Sequence, residues 1–379
     1  CSSGERLVMR SYYTGKDLAR AVTIEDLRRR AMSRLPQFTY EYLEGGSEDE
    51  LSLRRNRDVF ERITWEPTTL AGIERPDLTA EIMGEACSMP VIIAPTGFNG
   101  MLWEQGDLLL AKAAAEVGIP FTLSTVSNFD VQKMTGLVPK DRVWFQLYPL
   151  RDVSVANRII ERAAEAGCRK LVVTSDVPAF GAREWDVRNY KAPLKLSLPS
   201  ILDVLAHPTW LRQVMIPGGA PEFANLTEFL PPGQRSALQG ARFMSGQINP
   251  KLSWADIAEM RKRWKGELIL KGLLCVDDVQ RACDVGADGV VLSNHGGRQL
   301  DSTISGVELL PAVAAKFRDK ISILVDGGFR RGSDIAKAMA LGAHGVMIGR
   351  ATLYGLAAGG QPGVARALEI LRSELERVL

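Results

Sequence analysis

Between Ser293 and Asp301 the chain reads Ser-Asn-His-Gly-Gly-Arg-Gln-Leu-Asp, which sets the imidazole of His295 near the guanidinium of Arg298 on a glycine-flexed segment. Imidazole is the side chain whose ordinary pKa suits proton transfer near neutral pH, and a guanidinium fork suits a carboxylate or phosphate. A general base beside an anion receptor is the chemistry such a pair offers. The two other histidines read as structural, because His344 opens an apolar run and His207 precedes Pro208. Two further stretches, DGGFRRGSD (326 to 334) and IGRATLYG (348 to 355), combine glycines with arginines ahead of helix-like segments. Exposed backbone N–H groups of Gly327, Gly328 and Gly349, with Asp326, Arg330 and Arg350 beside them, read as a phosphate cradle.

The elements that must position these groups are eight short apolar runs. They are MPVIIAPTG (89 to 97), IPFTLST (119 to 125), RVWFQLY (142 to 148), KLVVTSD (170 to 176), ELILKG (267 to 272), DGVVLSN (288 to 294), SILVDGG (322 to 328) and HGVMIGR (344 to 350). Amphipathic stretches such as LLLAKAAAEVG, ANRIIERAAEAG, VDDVQRACDVGA and GSDIAKAMALGA separate most of them, each with a glycine suited to a helix C-cap. Runs buried on both faces and joined through helices describe a parallel sheet, and eight such units favour closure into an α/β (β/α)8 TIM barrel. In a barrel the working residues stand at the C-terminal strand ends, and phosphate sites recur after strands seven and eight. Both motif groups fall in those places.

Two regions lie outside the rhythm. From Thr23 to about Leu70 there is a helix with a capping-box start, Thr23 to Asp26, and a stop at Gly45-Gly46 after TYEYLE. This region is expected to cover one barrel end. An insertion from about 181 to 264 follows strand four and is too long to be structureless. Residues 1–22 read as an added or flexible tail, a processed lipoprotein-like start being the alternative, and 23–379 as one domain.

Bulk composition narrows the partners. With 47 basic and 45 acidic side chains the formal charge is +2, so no global field holds the chain on nucleic acid. Cys1, Cys87, Cys168, Cys275 and Cys283 are scattered without metal or disulfide spacing, which suits a reducing cytoplasm and no metal. The first residues lack the apolar core of a signal peptide, and no run reaches the roughly 18 apolar residues of a membrane span.

From about Thr23 to the C-terminus the chain resembles the FMN-dependent α-hydroxy acid dehydrogenase and oxidase family. SNHGGRQLD is the most specific shared motif, and YLEGG, APTG, WFQLY, LILKG and DGGFRRG appear in matching order. The resemblance implies FMN as cofactor, with Pro95, Thr96, Gly97, Ser124, Gln146 and Thr174 at its ring and ribityl chain and Ser293 beside them. It implies Lys271 beside flavin N1 and O2, where a fixed cation offsets charge that develops in reaction. An inward lysine in an apolar strand without such a role would be a costly unpaired charge. His295 matches the catalytic base and Asp176 the carboxylate that orients it. Arg183, in FGAREWD, and Arg298 match the pair that grips the substrate carboxylate, and Tyr42 and Tyr148 the two tyrosines at the carboxylate and hydroxyl. The implied reaction takes two electrons and two protons, a hydride equivalent and a proton, from a small (S)-2-hydroxy acid and yields the 2-keto acid.

Within the family, TGFNGMLWEQGD and YLEGGSEDE are similar to the mandelate dehydrogenase pattern. FTLSTVS and RDVSVANRIIERAAEAGC lean toward bacterial L-lactate dehydrogenase. Gly97 stands where glycolate-oxidising relatives carry alanine, and the missing methyl is expected to make room for an aryl or bulky substituent. LSLPSILDVLAHPTWLRQVMIPGG in the insertion, flanked by Lys195 and Arg212, has the composition of an interfacial segment. A lid or a subunit contact would bury the same face. The resemblance implies a homotetramer, peripheral membrane contact and a quinone as electron acceptor, with O2 as the acceptor in an oxidase. A barrel that binds a phosphorylated ligand without redox chemistry is the alternative from another class.

Overall fold

The computed structural model describes residues 11–70, 72–192, 195–231 and 237–379; Cys1 and the first part of the predicted tail lie outside them. Eight strands close a barrel in which every neighbouring pair is parallel. In chain order they are β1 (Val91–Ile93), β2 (Phe121–Ser124), β3 (Val143–Leu147), β4 (Lys170–Thr174), β5 (Glu267–Leu273), β6 (Gly289–Leu292), β7 (Ser322–Asp326) and β8 (Gly345–Ile348). Each falls on one of the eight apolar runs, β5 extending one residue past its run to Leu273, and they follow in sequential order around the barrel.

Period-two alternation sorts the strand side chains into two cores. Ile92, Trp144, Val172, Ile269, Val291, Leu324 and Met347 fill the barrel interior, while their sequence neighbours pack outward under the helices. A hairpin, 80–82 with 85–87, inserts Ile82 and Cys87 into the interior from the N-terminal end. Its Glu85 pairs with Lys170 of β4 and accepts from the Trp144 indole at 3.3 Å. That end is plugged, so the barrel opens only toward its C-terminal strand ends.

The N-terminal region folds as three helices, α1 (Ile24–Arg34), α2 (Gln37–Glu44) and α3 (Leu51–Arg62). α1 has the expected reciprocal Thr23–Asp26 capping box, and α2 stops at Gly45. The reading of residues up to 22 as a loose tail is corrected for 11–22. Asp26 accepts from the N–H groups of Tyr13 and Val22, Arg366 donates to the carbonyls of Ala19 and Ala21, and Ala21 is buried. A carboxylate inside α1 and an arginine near the C-terminus fix this stretch, which a search for apolar periodicity could not register.

In the insertion, α4 (Leu198–Ala206), α5 (Ala237–Gln247) and α6 (Trp254–Arg263) are helical. α6 directly precedes β5 and keeps the strand-helix rhythm, so the irregular part ends before Trp254. The portion from Trp210 to Phe229 is stitched to loops after β1 and β2. Trp210 donates to the Met101 carbonyl at 2.8 Å, Ala224 to Ser127 at 3.0 Å, and Asn225 accepts from Val131 N at 3.0 Å. After β7 and β8 come α7 (Gly332–Ala340) and α8 (Arg350–Val378), the latter broken by non-helical backbone at Gly359 and Gly360. α1 packs on α8, and Arg30 donates to the Ala358 carbonyl at 2.7 Å.

One buried pair ties α3 to the active end of the barrel. The amides of Asn56 and Asn294 exchange two hydrogen bonds of 2.8 and 3.0 Å, both residues being almost fully buried. Asn56→Ala leaves the Asn294 amide short of a partner in a dry place, which costs about 1–3 kcal/mol. We expect a lower urea midpoint for that variant; an unchanged midpoint would show that the pair adds nothing to stability.

Candidate active site

One cavity of about 440 Å3 opens at the C-terminal end of the barrel, a size within the range of small-molecule and cofactor sites. Its base is a polar ring one inward step above the apolar interior. Gln146 and Thr174 stand two residues beyond Trp144 and Val172, and Lys271 and Asp326 two beyond Ile269 and Leu324. Gln146 donates to the Thr174 hydroxyl at 2.9 Å and accepts from Ser124 at 2.9 Å. Lys271 is buried and bonds Ser293 Oγ at 2.8 Å and Asp326 Oδ2 at 2.6 Å. The lysine is therefore already paired, which sequence reasoning did not foresee, and Asp326 serves it rather than standing free in the cradle.

Above the ring stands His295. Its backbone is left-handed (φ 58°) and its N–H donates to Ser293 Oγ at 2.9 Å. Nδ1 lies 2.9 Å from Asp176 Oδ1, so Nδ1–H donates to the carboxylate and Nε2 is the nitrogen left for a substrate. Burial by itself raises the Asp176 pKa, but the charge and hydrogen bond of His295 and the charge of Lys271 outweigh it and hold the carboxyl below its ordinary range. Behind Asp176 the chain has Gly272, where a Cβ would stand 2.6 Å from the aspartate side chain at a φ of +106°. Only glycine fits there.

Tyr148 is stacked near the imidazole, with centroids 6.4 Å apart. Burial and the Asp176 charge push its pKa up against the opposing pull of Arg183 and Arg298, so the phenol stays protonated and can donate. Tyr42 Oη donates to the Gly97 carbonyl at 3.3 Å, and Arg298 lies 5.1 Å over the Tyr42 ring. Arg298 Nη1 donates to the carbonyls of Tyr42 and Gly45, and Arg183 Nε to the Arg298 carbonyl at 3.4 Å. The loop from Gly45 to Glu50 is stitched to both arginine segments, Ser47 N to Gly297 O and Glu48 N to Ala182 O, each at 2.9 Å. α2, the insertion and the β6 loop thereby bring Tyr42, Arg183 and Arg298 to one cavity wall.

The glycine cradle lies at the other end. Gly327, Gly328, Arg330, Gly349 and Arg350 all line the cavity. A Cβ at Gly328 would fall 1.9 Å from the Asn56 carbonyl, at a φ of +84°. The nitrogens of Arg350 bond the carbonyls of Leu43, Gly296 and Gly45 at 3.0, 2.9 and 3.0 Å. It ties the end of α2 to the loop after β6, so the cation closest to a free role in the cradle is Arg330. This set of glycine amides, one arginine, an inward lysine and a ring of neutral donors fits the phosphate, pyrimidine edge and polar chain of FMN.

Of the residues predicted from sequence, Tyr42, Pro95, Thr96, Gly97, Gln146, Tyr148, Thr174, Arg183, Lys271, His295, Arg298, Asp326, Gly327, Gly328, Arg330, Gly349 and Arg350 line this cavity. Ser124, Asp176 and Ser293 stand one layer behind, each bonded to a residue that does line it. The expectation for Gly97 needs correction. A Cβ there would meet Val126 Cγ2 at 2.5 Å, so the space of the missing methyl is taken by Val126. Sequence reasoning missed the apolar wall, where Phe98 meets Phe223 edge-to-face at 4.5 Å and Phe180, Met244 and Ala241 complete the surface. The insertion residues Phe223, Ala241 and Met244 carry no local signal of that role. His207 and His344 are structural: His207 Nδ1 bonds the Asp203 carbonyl and His344 Nδ1 accepts from Ile323 N.

Comparison with known proteins follows the same lines. Residues 31–379 match the family model described as FMN-dependent dehydrogenase. The (S)-mandelate dehydrogenase of Pseudomonas putida is 44% identical over 358 residues, covering 94% of this chain and 89% of that one. An L-lactate dehydrogenase of Pectobacterium atrosepticum is 38% identical over 351 residues, covering 92% and 90%. A crystal structure described as the monotopic membrane protein (S)-mandelate dehydrogenase superposes with a TM-score of 0.90 at 43% identity, covering 95% of each chain. A mandelate oxidase structure with (S)-4-hydroxymandelic acid superposes at 0.80 with 33% identity, covering 94% and 93%.

The loop that carries His295 and Arg298 ends on Asp301, whose oxygens accept from Leu51 N at 3.0 Å and Ser52 N at 2.7 Å and so cap α3. Burial alone raises its pKa, yet those N–H donors hold it below the ordinary range. A group with a depressed folded pKa stabilises fully above its unfolded value of about 3.9 and loses that contribution as pH falls through the folded value. Asp301→Ala is expected to cost about 1–2 kcal/mol at neutral pH. In urea titrations its gap from the parent should hold between about pH 5 and 8 and narrow below about pH 4; a gap insensitive to acid would show that the carboxylate charge is not what caps α3.

Proposed function

The chain belongs to the FMN-dependent dehydrogenase family, and from that membership we propose that it oxidises an (S)-2-hydroxy acid with an aryl or similarly bulky side chain, such as (S)-mandelate, to the 2-keto acid. FMN, when bound, supplies the two-electron acceptor at the floor of the cavity. The observation that carries the reading is the convergence of a carboxylate-oriented imidazole, two guanidiniums and two tyrosines on one cavity beside a glycine cradle. In this reading Arg183, Arg298 and Tyr42 hold the substrate carboxylate and Tyr148 donates to its oxygen. His295 Nε2 takes the proton, and Asp176 stabilises the imidazolium that results. Lys271, paired with Asp326, would stand beside N1 and O2 of the bound flavin and offset the charge that develops there, as electrostatic preorganisation requires. Phe98, Phe180, Phe223 and Met244 form the wall that suits a phenyl group better than the methyl of lactate.

Electrons pass onward to a quinone, in our reading, from an enzyme seated on the inner face of the cytoplasmic membrane. Along α4, Leu198, Ile201, Leu202 and Leu205 recur at helical spacing and are 69%, 45%, 59% and 62% exposed. The other side of α4 is anchored inward, with Asp203 accepting from Gln37 N at 2.6 Å and Ser200 donating to Asn189 O at 3.0 Å. Among the described residues the apolar row therefore stays uncovered. Among the described residues no helix is long and apolar enough to cross a membrane, so the contact would be at the surface. The homotetramer implied by the resemblance completes the proposal and is open to light scattering. The likeness to a mandelate oxidase supports a second reading in which O2 accepts the electrons and peroxide is released.

Anaerobic bleaching of the bound flavin should be fastest with (S)-mandelate, slower with (S)-lactate and slowest with glycolate; preference for lactate would overturn the substrate assignment. Rapid reoxidation by a quinone analogue, with little peroxide under air, is expected. His295→Gln should lower kcat/KM by at least about 10²-fold with flavin still bound, and near-normal turnover would refute the base. Leu202→Glu combined with Leu205→Glu should abolish sedimentation with anionic lipid vesicles while leaving turnover with a soluble dye acceptor intact. Undiminished vesicle binding by that pair would place the membrane contact elsewhere.

A further inference from the structure

Behind the glycine cradle lies a polar chain that the proposed reaction does not use. Arg330 Nη1 donates to the Phe329 carbonyl at 2.9 Å and Nη2 to the Tyr354 hydroxyl at 3.4 Å, with the guanidinium 5.2 Å from that ring. Neither bond uses Nε, and the arginine lines the cavity. Tyr354, on α8, is 1% exposed, and it and the Glu44 carboxylate at the end of α2 act on each other, the phenol drawing the carboxyl pKa down and the carboxylate pushing the phenol up. Glu44 is held from its other side by Arg28 Nε at 3.0 Å, and Arg28 by Glu25 at 3.0 Å. A continuous path thus runs from α1 through α2 and α8 to the cradle.

Proton accounting fixes the direction of each bond. A guanidinium can only donate, so the phenol oxygen of Tyr354 accepts from Arg330 and its single proton is left to face the Glu44 carboxylate, which can only accept. Burial pushes the Tyr354 pKa up, which keeps that proton in place. Charge gives the path a purpose. Arg350 is lowered first by burial and also by the charge of Arg330, while Tyr354 and Glu44 act in the opposite sense. Two guanidiniums brought to one partly enclosed place repel each other strongly, and the charge of Glu44 acts against that repulsion at Arg350.

We propose that Glu44 and Tyr354 are positioning residues for the phosphate end of FMN, holding Arg330 in the orientation in which it meets the phosphate. The proposal rests on reading Gly327 to Arg330 with Gly349 as the phosphate end. It implies that their contribution to flavin affinity appears only when the flavin carries a phosphate. A residue that merely supports the fold would affect every flavin alike.

FMN and riboflavin differ by that phosphate, so their dissociation constants for the flavin-free full chain, read by flavin fluorescence quenching, separate the cases. Tyr354→Phe keeps the ring, its packing and its contact with Arg330 and removes only the hydroxyl, so it is the variant that decides if Glu44→Gln does not fold. Loss of a hydrogen bond to a charged group corresponds to roughly a tenfold change in affinity. Each variant should raise the FMN dissociation constant about tenfold and leave that of riboflavin within about twofold. Parallel weakening of both flavins, or no change in either, would overturn the proposal. Arg330→Gln serves as the reference: if it too fails to distinguish the two flavins, the phosphate-end reading itself is wrong, whereas discrimination by Arg330→Gln alone rejects only the roles of Glu44 and Tyr354.

Discussion

The bond between His295 Nδ1 and Asp176 Oδ1, 2.9 Å long, is the constraint from which the rest of the site is arranged. It settles which ring nitrogen faces a substrate, and it does so with a carboxylate that would be costly to bury alone. Three features exist to make it possible. Left-handed backbone at His295 turns the imidazole inward, Ser293 Oγ holds that turn, and Gly272 leaves the space that Asp176 occupies. Backbone strain of this kind persists only where surrounding contacts over-determine it. Here the Asn56–Asn294 amide pair and the Asp301 cap on α3 provide those contacts, so a helix remote in sequence fixes the angle of the imidazole.

Much of this was legible because strands impose a period of two. The eight apolar runs could be ordered from sequence, and barrel geometry then assigned their polar ends to one face. What could not be read was which side chains at those ends face the cavity and which face the layer behind. Ser124, Asp176 and Ser293 stand behind Gln146, His295 and Lys271, and all six are equally polar in the sequence. Register and burial decide between them, and neither belongs to a single run. The same holds for Lys271 and Asp326, which lie on β5 and β7 at either side of β6 and meet over it inside the barrel.

Arginine shows the limit in another form. Arg183, Arg298, Arg330 and Arg350 look alike in sequence, each beside glycine or an apolar run. In the structure Arg350 joins Leu43, Gly45 and Gly296 through their carbonyls, and Arg298 also bonds Gly45. A buried guanidinium needs acceptors, and a loop rich in glycine offers bare carbonyls from which to supply them. Charge near a cradle is therefore not by itself a measure of charge available to a ligand. Gly97 makes a similar point for volume, since Val126 occupies the room that its missing methyl leaves.

The insertion joins these two themes. Its inner portion, from Trp210 to Phe229 with α5, is bonded to the loops after β1 and β2 and supplies Phe223 and Met244 to the cavity wall. Its outer helix α4 exposes an apolar row while Asp203 and Ser200 hold its other side to α2 and to Asn189. One segment therefore shapes the cavity wall and carries an exposed apolar row. α2 also bears Tyr42 and ends at Gly45, whose carbonyl accepts from both Arg298 and Arg350. A surface seated on α4 would bear, through Gln37 and α2, on the tyrosine and arginines proposed to receive the substrate, so docking and substrate binding would share a mechanical element only two turns long.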